Sequence, residues 1–191
     1  RKKSVALEKV DNELQELMDD MLETMYAAPG IGLAGVQVGV LKRLIVIDVS
    51  GDKEKKNPLF LVNPEIIFKS DDTSVYEEGC LSLPGHFAEI ERPAECQIKY
   101  VDYNGKKKEM KANGLLATCI QHEVDHLNGI LFIDYLSNWS LFAAISNSFN
   151  LSLSDASSNL IKFAAFKYFH ISGLVFFVGS YLKSAIVMLE R

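Results

Sequence analysis

Leu14, Leu17, Met18, Met21, Leu22, Met25 and Tyr26 recur at alternating steps of three and one. That spacing keeps one face of a helix apolar, so residues 11–27 are predicted to form an amphipathic helix. Asp11 supplies an N-cap, and Pro29-Gly30 stops the helix. Its methionine stripe reads as core packing. The run from Leu44 to Val49 predicts a buried strand, and the segment from Gly51 to Asn57 a charged loop. Short strands are expected at Leu59–Val62 and Glu65–Lys69, broken by Asn63-Pro64. Residues 86–91 and 95–103 alternate as strands do. Asn104-Gly105 marks a hairpin turn, followed by a lysine-rich strand over 106–112. Those lysines suit an exposed sheet edge. A second helical stretch covers 113–128, with Asn113 as its N-cap and Gly129 beyond its end. Ile130 to Tyr135 then reads as a strand. A helix, several antiparallel strands and a central helix indicate an α+β fold with short sheets packed around that helix.

The central helix carries His122-Glu123-Val124-Asp125-His126. Residues four apart lie on one helical face, so both histidines can turn a ring nitrogen toward one metal ion. Leu115, Cys119, His122 and His126 form one stripe, and Leu116, Ile120, Glu123 and Leu127 the next. Glu123 lies beside the histidine pair, placed to take a proton from a metal-bound water without being a ligand. Two histidines do not complete a zinc or iron site. Cys119 lies seven residues from His126, about 10 Å along the axis, too far to share their ion. The third ligand is expected from elsewhere in the chain.

The cysteines stand at 80, 96 and 119. An odd, sparse set suits a reducing compartment and not a disulfide framework. Cys96 and Cys119 fall in periodic apolar segments and read as core thiols. Cys80 sits in Glu78-Gly79-Cys80-Leu81-Ser82-Leu83-Pro84-Gly85, a turn shaped by glycines and proline, and is the best candidate third ligand. A glycine-rich run, Gly30 to Gly39, follows no strand, so it is a poor nucleotide loop. Its glycines let backbone pass close to another element. Gln37 is the polar side chain in that run. It reads either as an exposed strand residue or as an amide aimed at a reacting carbonyl.

The chain has 191 residues, 48% of them hydrophobic, enough for one real core. Its net charge of −5 argues against nucleic-acid binding. The charge is uneven: residues 1–138 hold 16 Lys and Arg against 23 Asp and Glu, and residues 139–191 hold 4 against 2. The chain opens on Arg-Lys-Lys, with no initiator methionine and no signal peptide, and is expected to be a fragment. We see no internal repeat.

In that order, GIGLAGVQ, EGCLS and QHEVDHLNG resemble the three signature segments of peptide deformylases. The similarity covers about residues 1–138, which sets a catalytic domain there and an atypical extension over 139–191. The resemblance implies an enzyme that removes the formyl group from the N-terminal methionine of newly made proteins and releases formate. It implies one divalent ion, typically ferrous iron, with zinc, nickel or cobalt substituting. Carried over, Cys80, His122 and His126 are the ligands and Glu123 the general base and acid. Gln37 and the backbone N–H of Leu81 hold the oxyanion. Gly30, Ile31, Gly32 and Gly79 line the peptide groove. Implied partners are N-formylmethionyl peptides and nascent chains near the ribosome, for a monomer in a bacterial cytoplasm or an organelle.

Departures are visible. Gly35 stands where the family usually has alanine, which loosens the loop. The family normally begins earlier, with a further strand. After Leu136-Ser137 the resemblance ends, and the tail holds seven of the eleven phenylalanines. Its most apolar charge-free run, Tyr168 to Leu182, is short of the roughly 20 residues a spanning helix needs, so membrane contact is not the favoured reading. A zinc endopeptidase with an extended H-E-x-x-H-x-x-G-x-x-H motif is a rival. Gly129 fits that pattern, but Phe132 stands at its last position and cannot ligate. A catalytically dead, deformylase-like binding protein is the other.

Overall fold

In the computed structural model, residues 2–51 and 55–136 are described. Helix α1 covers Asn12–Ala27, with the Asp11 carboxylate accepting from the Leu14 N–H at 3.1 Å. A three-residue strand β1 (Gly32–Ala34) leads into a 3-10 helix, Gly35–Val38. Strands β2 (Leu44–Ile47), β3 (Leu59–Lys69), β4 (Thr73–Cys80), β5 (Leu83–Pro93), β6 (Glu95–Val101) and β7 (Lys107–Asn113) follow. Helix α2 spans Gly114–Leu127, and a 3-10 turn covers Phe132–Tyr135. All strand pairs are antiparallel. One sheet has the order β1-β2-β3-β6-β7; β4 and β5 pair as a separate hairpin. The α+β expectation holds.

The continuous apolar run of β2 has a direct cause. Leu44 and Val46 face α1, packing with Leu14, Met18, Met21 and Met25. Ile45 and Ile47 face the other way, into a cluster with Ile120, Val124 and Leu127 of α2. A strand covered on both faces cannot alternate with polar residues. The methionines are core, as expected, and burying each stabilises the fold by about 1.5–3 kcal/mol. Helix α2 touches all seven strands, including the separate hairpin. It is therefore the common support of both sheets. The lysine-rich β7 lies at a sheet edge.

Three expectations need correction, and one strand has no counterpart in the sequence reading. Asn63-Pro64 does not break a strand. Asn63 takes φ 50 and the register shifts between Val62 and Glu65, so β3 runs on through a bulge. Asparagine tolerates that conformation, and its amide is held by the Leu7 N–H (2.8 Å) and donates to the Leu7 carbonyl (2.7 Å). Strand β4 carries little apolar signal in the sequence: its residues alternate between exposed and half-covered positions, and the one that is buried, Glu78, is charged. Ile130–Tyr135 is no strand; Phe132–Tyr135 is a 3-10 turn, with the Leu131 N–H donating to Asp134 at 2.9 Å. Asn113 occupies the N-cap position of α2, but its side chain makes no capping bond.

The other end of α2 is capped by backbone. The Gly129 N–H donates to the His126 carbonyl at 3.0 Å and the Ile130 N–H to the Asp125 carbonyl at 2.9 Å, with Gly129 at φ 77. That pair of bonds is a Schellman motif, and it needs a residue at ease with positive φ. It fixes where the chain leaves the helix, one turn beyond His126.

Candidate metal centre

One turn of α2 separates His122 from His126, and their Nε2 atoms lie 3.1 Å apart. Cys80, the last residue of β4, brings its Sγ to 3.2 Å from the His126 Nε2. The three donor atoms lie within 4.8 Å of one another. The hairpin and the helix thus converge on one point. Cys119 does not join them. It is buried, its Sγ facing the Ile31 carbonyl at 3.7 Å, and burial pushes its pKa well above the usual thiol value. Cys96 is buried in the core.

His122 has a defined orientation. Its Nδ1 lies 2.8 Å from the Glu78 Oε2, a distance that assigns the ring N–H to Nδ1 and turns Nε2 toward the cluster. Glu78 is in turn gripped by Arg92, through Nε to Oε1 and through Nη2 to Oε2 at 3.0 Å. The same guanidinium reaches Asp125 of α2 through Nη1, at 2.8 Å. Arg92 therefore ties the β4–β5 hairpin to the helix. Glu78, Arg92 and Asp125 were missed in the sequence. Glu78 and Asp125 lie inside the quoted motifs, but nothing in the order of residues pairs them with an arginine 14 and 33 positions away.

Glu123 is buried, and its Oε2 has no hydrogen-bond partner among the described residues. Burial pushes its pKa up to about 7, with the charges of His122 and His126 pulling the other way. Gly32 of β1 passes over it. A Cβ there would stand 2.5 Å from the Glu123 Oε1 and 2.7 Å from the Cys119 Sγ, so any other residue would displace the carboxylate or the thiol. A Cβ on Gly30 would meet the Leu81 side chain at 2.8 Å. The Gly30–Gly32 backbone therefore runs close to Leu81, Cys119 and Glu123, with Ile31 partly exposed between the glycines. Gly79 has another cause: a Cβ there would meet the Phe87 ring, its cross-strand partner, at 2.6 Å.

Gln37 is not on a strand. It lies in the 3-10 helix, where its Oε1 accepts from the Ala34 N–H at 2.7 Å. That bond turns the NH₂ toward Cys80 Sγ (3.7 Å) and Ser82 Oγ (3.1 Å). The amide thus faces the donor cluster. The expected glycine-and-proline turn around Cys80 is smaller than the sequence implied. Only Leu81 and Ser82 turn; Gly79 lies in β4, and Pro84 and Gly85 lie in β5.

Electrostatics favour an ionised thiol. Burial alone would raise the Cys80 pKa, but hydrogen bonds with His122 and His126 and the charge of His126 pull it down to about 5. Burial likewise opposes charge on His122, yet its bonds to Cys80 and Glu78 and the charge of Glu123 push it up to about 10. One thiolate and two imidazoles converging in a buried cleft, with a desolvated carboxylate alongside, define the class of a metal-dependent hydrolase site.

The comparisons agree with that class. The profile of the family described as polypeptide deformylase matches residues 1–141. The peptide deformylase of Pelagibacter ubique is 66% identical over 137 residues, covering 72% of this chain and 80% of its own. That of Phenylobacterium zucineum is 60% identical over 134 residues, covering 70% and 79%. Among solved structures, the peptide deformylase of Ehrlichia chaffeensis in complex with actinonin superposes with a TM-score of 0.68 at 45% identity, covering 76% of this chain and 87% of that one. The chain belongs to the polypeptide deformylase family. It is a hydrolase that removes the N-formyl group from nascent peptides, and metal dependence comes with the family.

A thiol with a lowered pKa is ionised at any pH above that value. In the metal-free protein, thiolate absorbance at 240 nm should show one thiolate already present at pH 7, lost as the pH falls through about 5. Cys80→Ser should abolish that transition. Absence of any thiolate below pH 8 would contradict the geometry.

Proposed function

We propose that Cys80, His122 and His126 together hold one divalent cation, that Glu123 is the general base and acid, and that Gln37 and the Leu81 backbone N–H bind the oxyanion. The observation that carries this reading is the convergence of three donor atoms beside a buried carboxylate oxygen that has no partner of its own. The donor set fits the ion. One soft thiolate and two imidazoles suit ferrous iron, zinc, nickel or cobalt, and do not suit magnesium or calcium. We take ferrous iron as the native ion. When bound, such an ion supplies Lewis acidity, lowering the pKa of water toward neutrality and polarising the formyl carbonyl.

The chain's own groups do the rest. Glu123 takes a proton from the attacking water on Oε2 and passes it to the leaving amine nitrogen. Its burial matters, because a carboxylate at the usual pKa would be a weak proton acceptor in the first half of the reaction. A nearby cation pulls that pKa back down. Gln37 donates from Nε2 to the oxygen of the formyl group as it gains charge. Its Oε1 is already committed to the Ala34 N–H, so the donor is aimed before substrate arrives. The Leu81 N–H, next to Cys80, is the second donor. Gly30, Ile31 and Gly32 pass along one side of the site and serve as the wall for the peptide. Gly79, packed against the Phe87 ring, completes that groove.

The endopeptidase alternative loses its support here. Phe132 stacks on the His122 ring at 6.1 Å between centroids and supplies no ligand. Substrates are formylmethionyl peptides and nascent chains, met near the ribosome in a bacterial cytoplasm or an organelle, by a monomer. The relatives quoted are bacterial, and one neighbouring structure holds actinonin. Among the described residues, no helix is long and apolar enough to cross a membrane. The membrane reading of Tyr168–Leu182 lies outside the described residues. We assign catalysis to residues 1–138 and treat 139–191 as an atypical Ser- and Phe-rich extension that the chemistry does not need; the family match stops at residue 141.

Glu123→Gln should retain one metal per chain and lose formate release from a formyl-Met peptide by several orders of magnitude. Loss of the metal in that variant would make Glu123 a ligand. Truncation after Asn138 should leave kcat/KM per bound metal within about tenfold, measured anaerobically. A folded, metal-replete truncation without activity would show that the tail shapes the site.

A further inference from the structure

Immediately beyond the Gly129 cap, the chain returns to the metal centre as the single turn Phe132–Tyr135. Phe132 is buried against His122, its ring tilted 25° from the imidazole. Tyr135 donates its hydroxyl proton to the Asp125 Oδ2 at 2.9 Å, the same oxygen that Arg92 Nη1 reaches at 2.8 Å. Its ring also lies over that guanidinium, with the Arg92 Cζ 4.7 Å from the ring centroid. Arg92 holds Glu78, and Glu78 holds His122. One line of contacts thus runs from Tyr135 through Asp125, Arg92 and Glu78 to His122.

We propose that Tyr135 is a positioning residue: it locks Arg92 and Asp125 so that the Cys80-bearing hairpin and the histidine-bearing helix are preset for a divalent cation. This rests on the reading of Cys80, His122 and His126 as the ligands.

The physical case has two parts. Arg92 is 3% exposed, whereas the Asp125 side chain is 12% exposed and Tyr135 47%. Tyr135 therefore stands between the ion pair and solvent. Without its ring, water reaches the guanidinium, the local dielectric rises, and the Arg92–Asp125 attraction weakens. The second part is geometric. Asp125 Oδ2 accepts from two donors that come from different elements, and a carboxylate fixed by two bonds has less rotational freedom than one fixed by a single bond. Partners behind a metal ligand set its orientation, and losing one weakens metal affinity.

The bland reading is that Tyr135 merely stabilises the fold. Tyr103 offers a matched control. Its hydroxyl donates to Asp19 at 2.9 Å and its ring packs on Phe60 at 4.9 Å, on the α1 side of the sheet. The test is anaerobic Co²⁺ titration of the metal-free, full-length chain. The readouts are the dissociation constant and the visible ligand-field and thiolate charge-transfer bands. Tyr135→Leu should weaken Co²⁺ binding by about tenfold or more and shift the bands. Tyr135→Phe, which keeps the ring, should weaken it about threefold. Tyr103→Leu should leave both readouts unchanged. The proposal is overturned if Tyr135→Phe and Tyr135→Leu both bind within twofold of the parent, or if Tyr103→Leu weakens binding as much. Should Tyr135→Leu fail to fold, Tyr135→Phe decides alone. Cys80→Ser separates the two layers: if it retains Co²⁺ affinity, the ligand assignment itself fails, and the proposal with it.

Discussion

Everything at this site depends on Arg92. The cluster brings Cys80, Glu78, His122, His126, Glu123 and Asp125 together in a region where most of these groups are buried. Unpaired charges there would be prohibitive, since taking one ion out of water costs several kcal/mol even after relaxation. Arg92 offsets part of that cost by pairing with two carboxylates at once, one on the hairpin and one on the helix. Its pKa is raised further by both, although burial opposes it. Replacing it by a neutral residue would remove the cation that Glu78 and Asp125 share, leaving Glu78 to His122 and Asp125 to the Tyr135 hydroxyl. The electrostatic requirement and the geometric one are therefore met by the same side chain.

The fold supplies a frame stiff enough to use that pairing. Helix α2 packs against the five-stranded sheet on one side and the β4–β5 hairpin elsewhere along its length. Both histidines lie in its last two turns, just before a backbone-capped end. The hairpin reaches the helix with Cys80 at its end. Against the helix runs β1, a strand of three residues whose Gly32 leaves room for the Glu123 carboxylate. Helix α1 and the β2 strand stand behind this arrangement and contribute no group to it. β2 pairs with β1 within the sheet, and α1 packs against Leu33 from the face opposite α2.

The sequence carried the local parts of this account well. His122 and His126 are four apart on a helix, so their shared direction follows from pitch alone. Cys119 fails as a ligand on distance along the helix, and its buried Sγ faces the Ile31 carbonyl. Helix α1 was legible because its apolar face is unbroken. What escaped was whatever depends on long-range pairing or on a weak apolar signal. Strand β4 has one mostly exposed face and reads as loop. Gln37 lies in a one-turn 3-10 helix, which has no period of its own to detect in the sequence. The Glu78–Arg92–Asp125 network joins three segments, and no spacing rule connects them. Tyr135 was placed on a strand, which hid the fact that the chain turns back onto the site.

The most direct test of the central claim is X-ray absorption at the metal edge of the anaerobically loaded protein. The account predicts one sulfur at about 2.3 Å and two imidazole nitrogens at about 2.0–2.1 Å if zinc is the ion used. The sulfur shell should vanish in Cys80→Ser and persist in Cys119→Ser. A spectrum with no sulfur, or a sulfur shell that survives Cys80→Ser and is lost in Cys119→Ser, would contradict it.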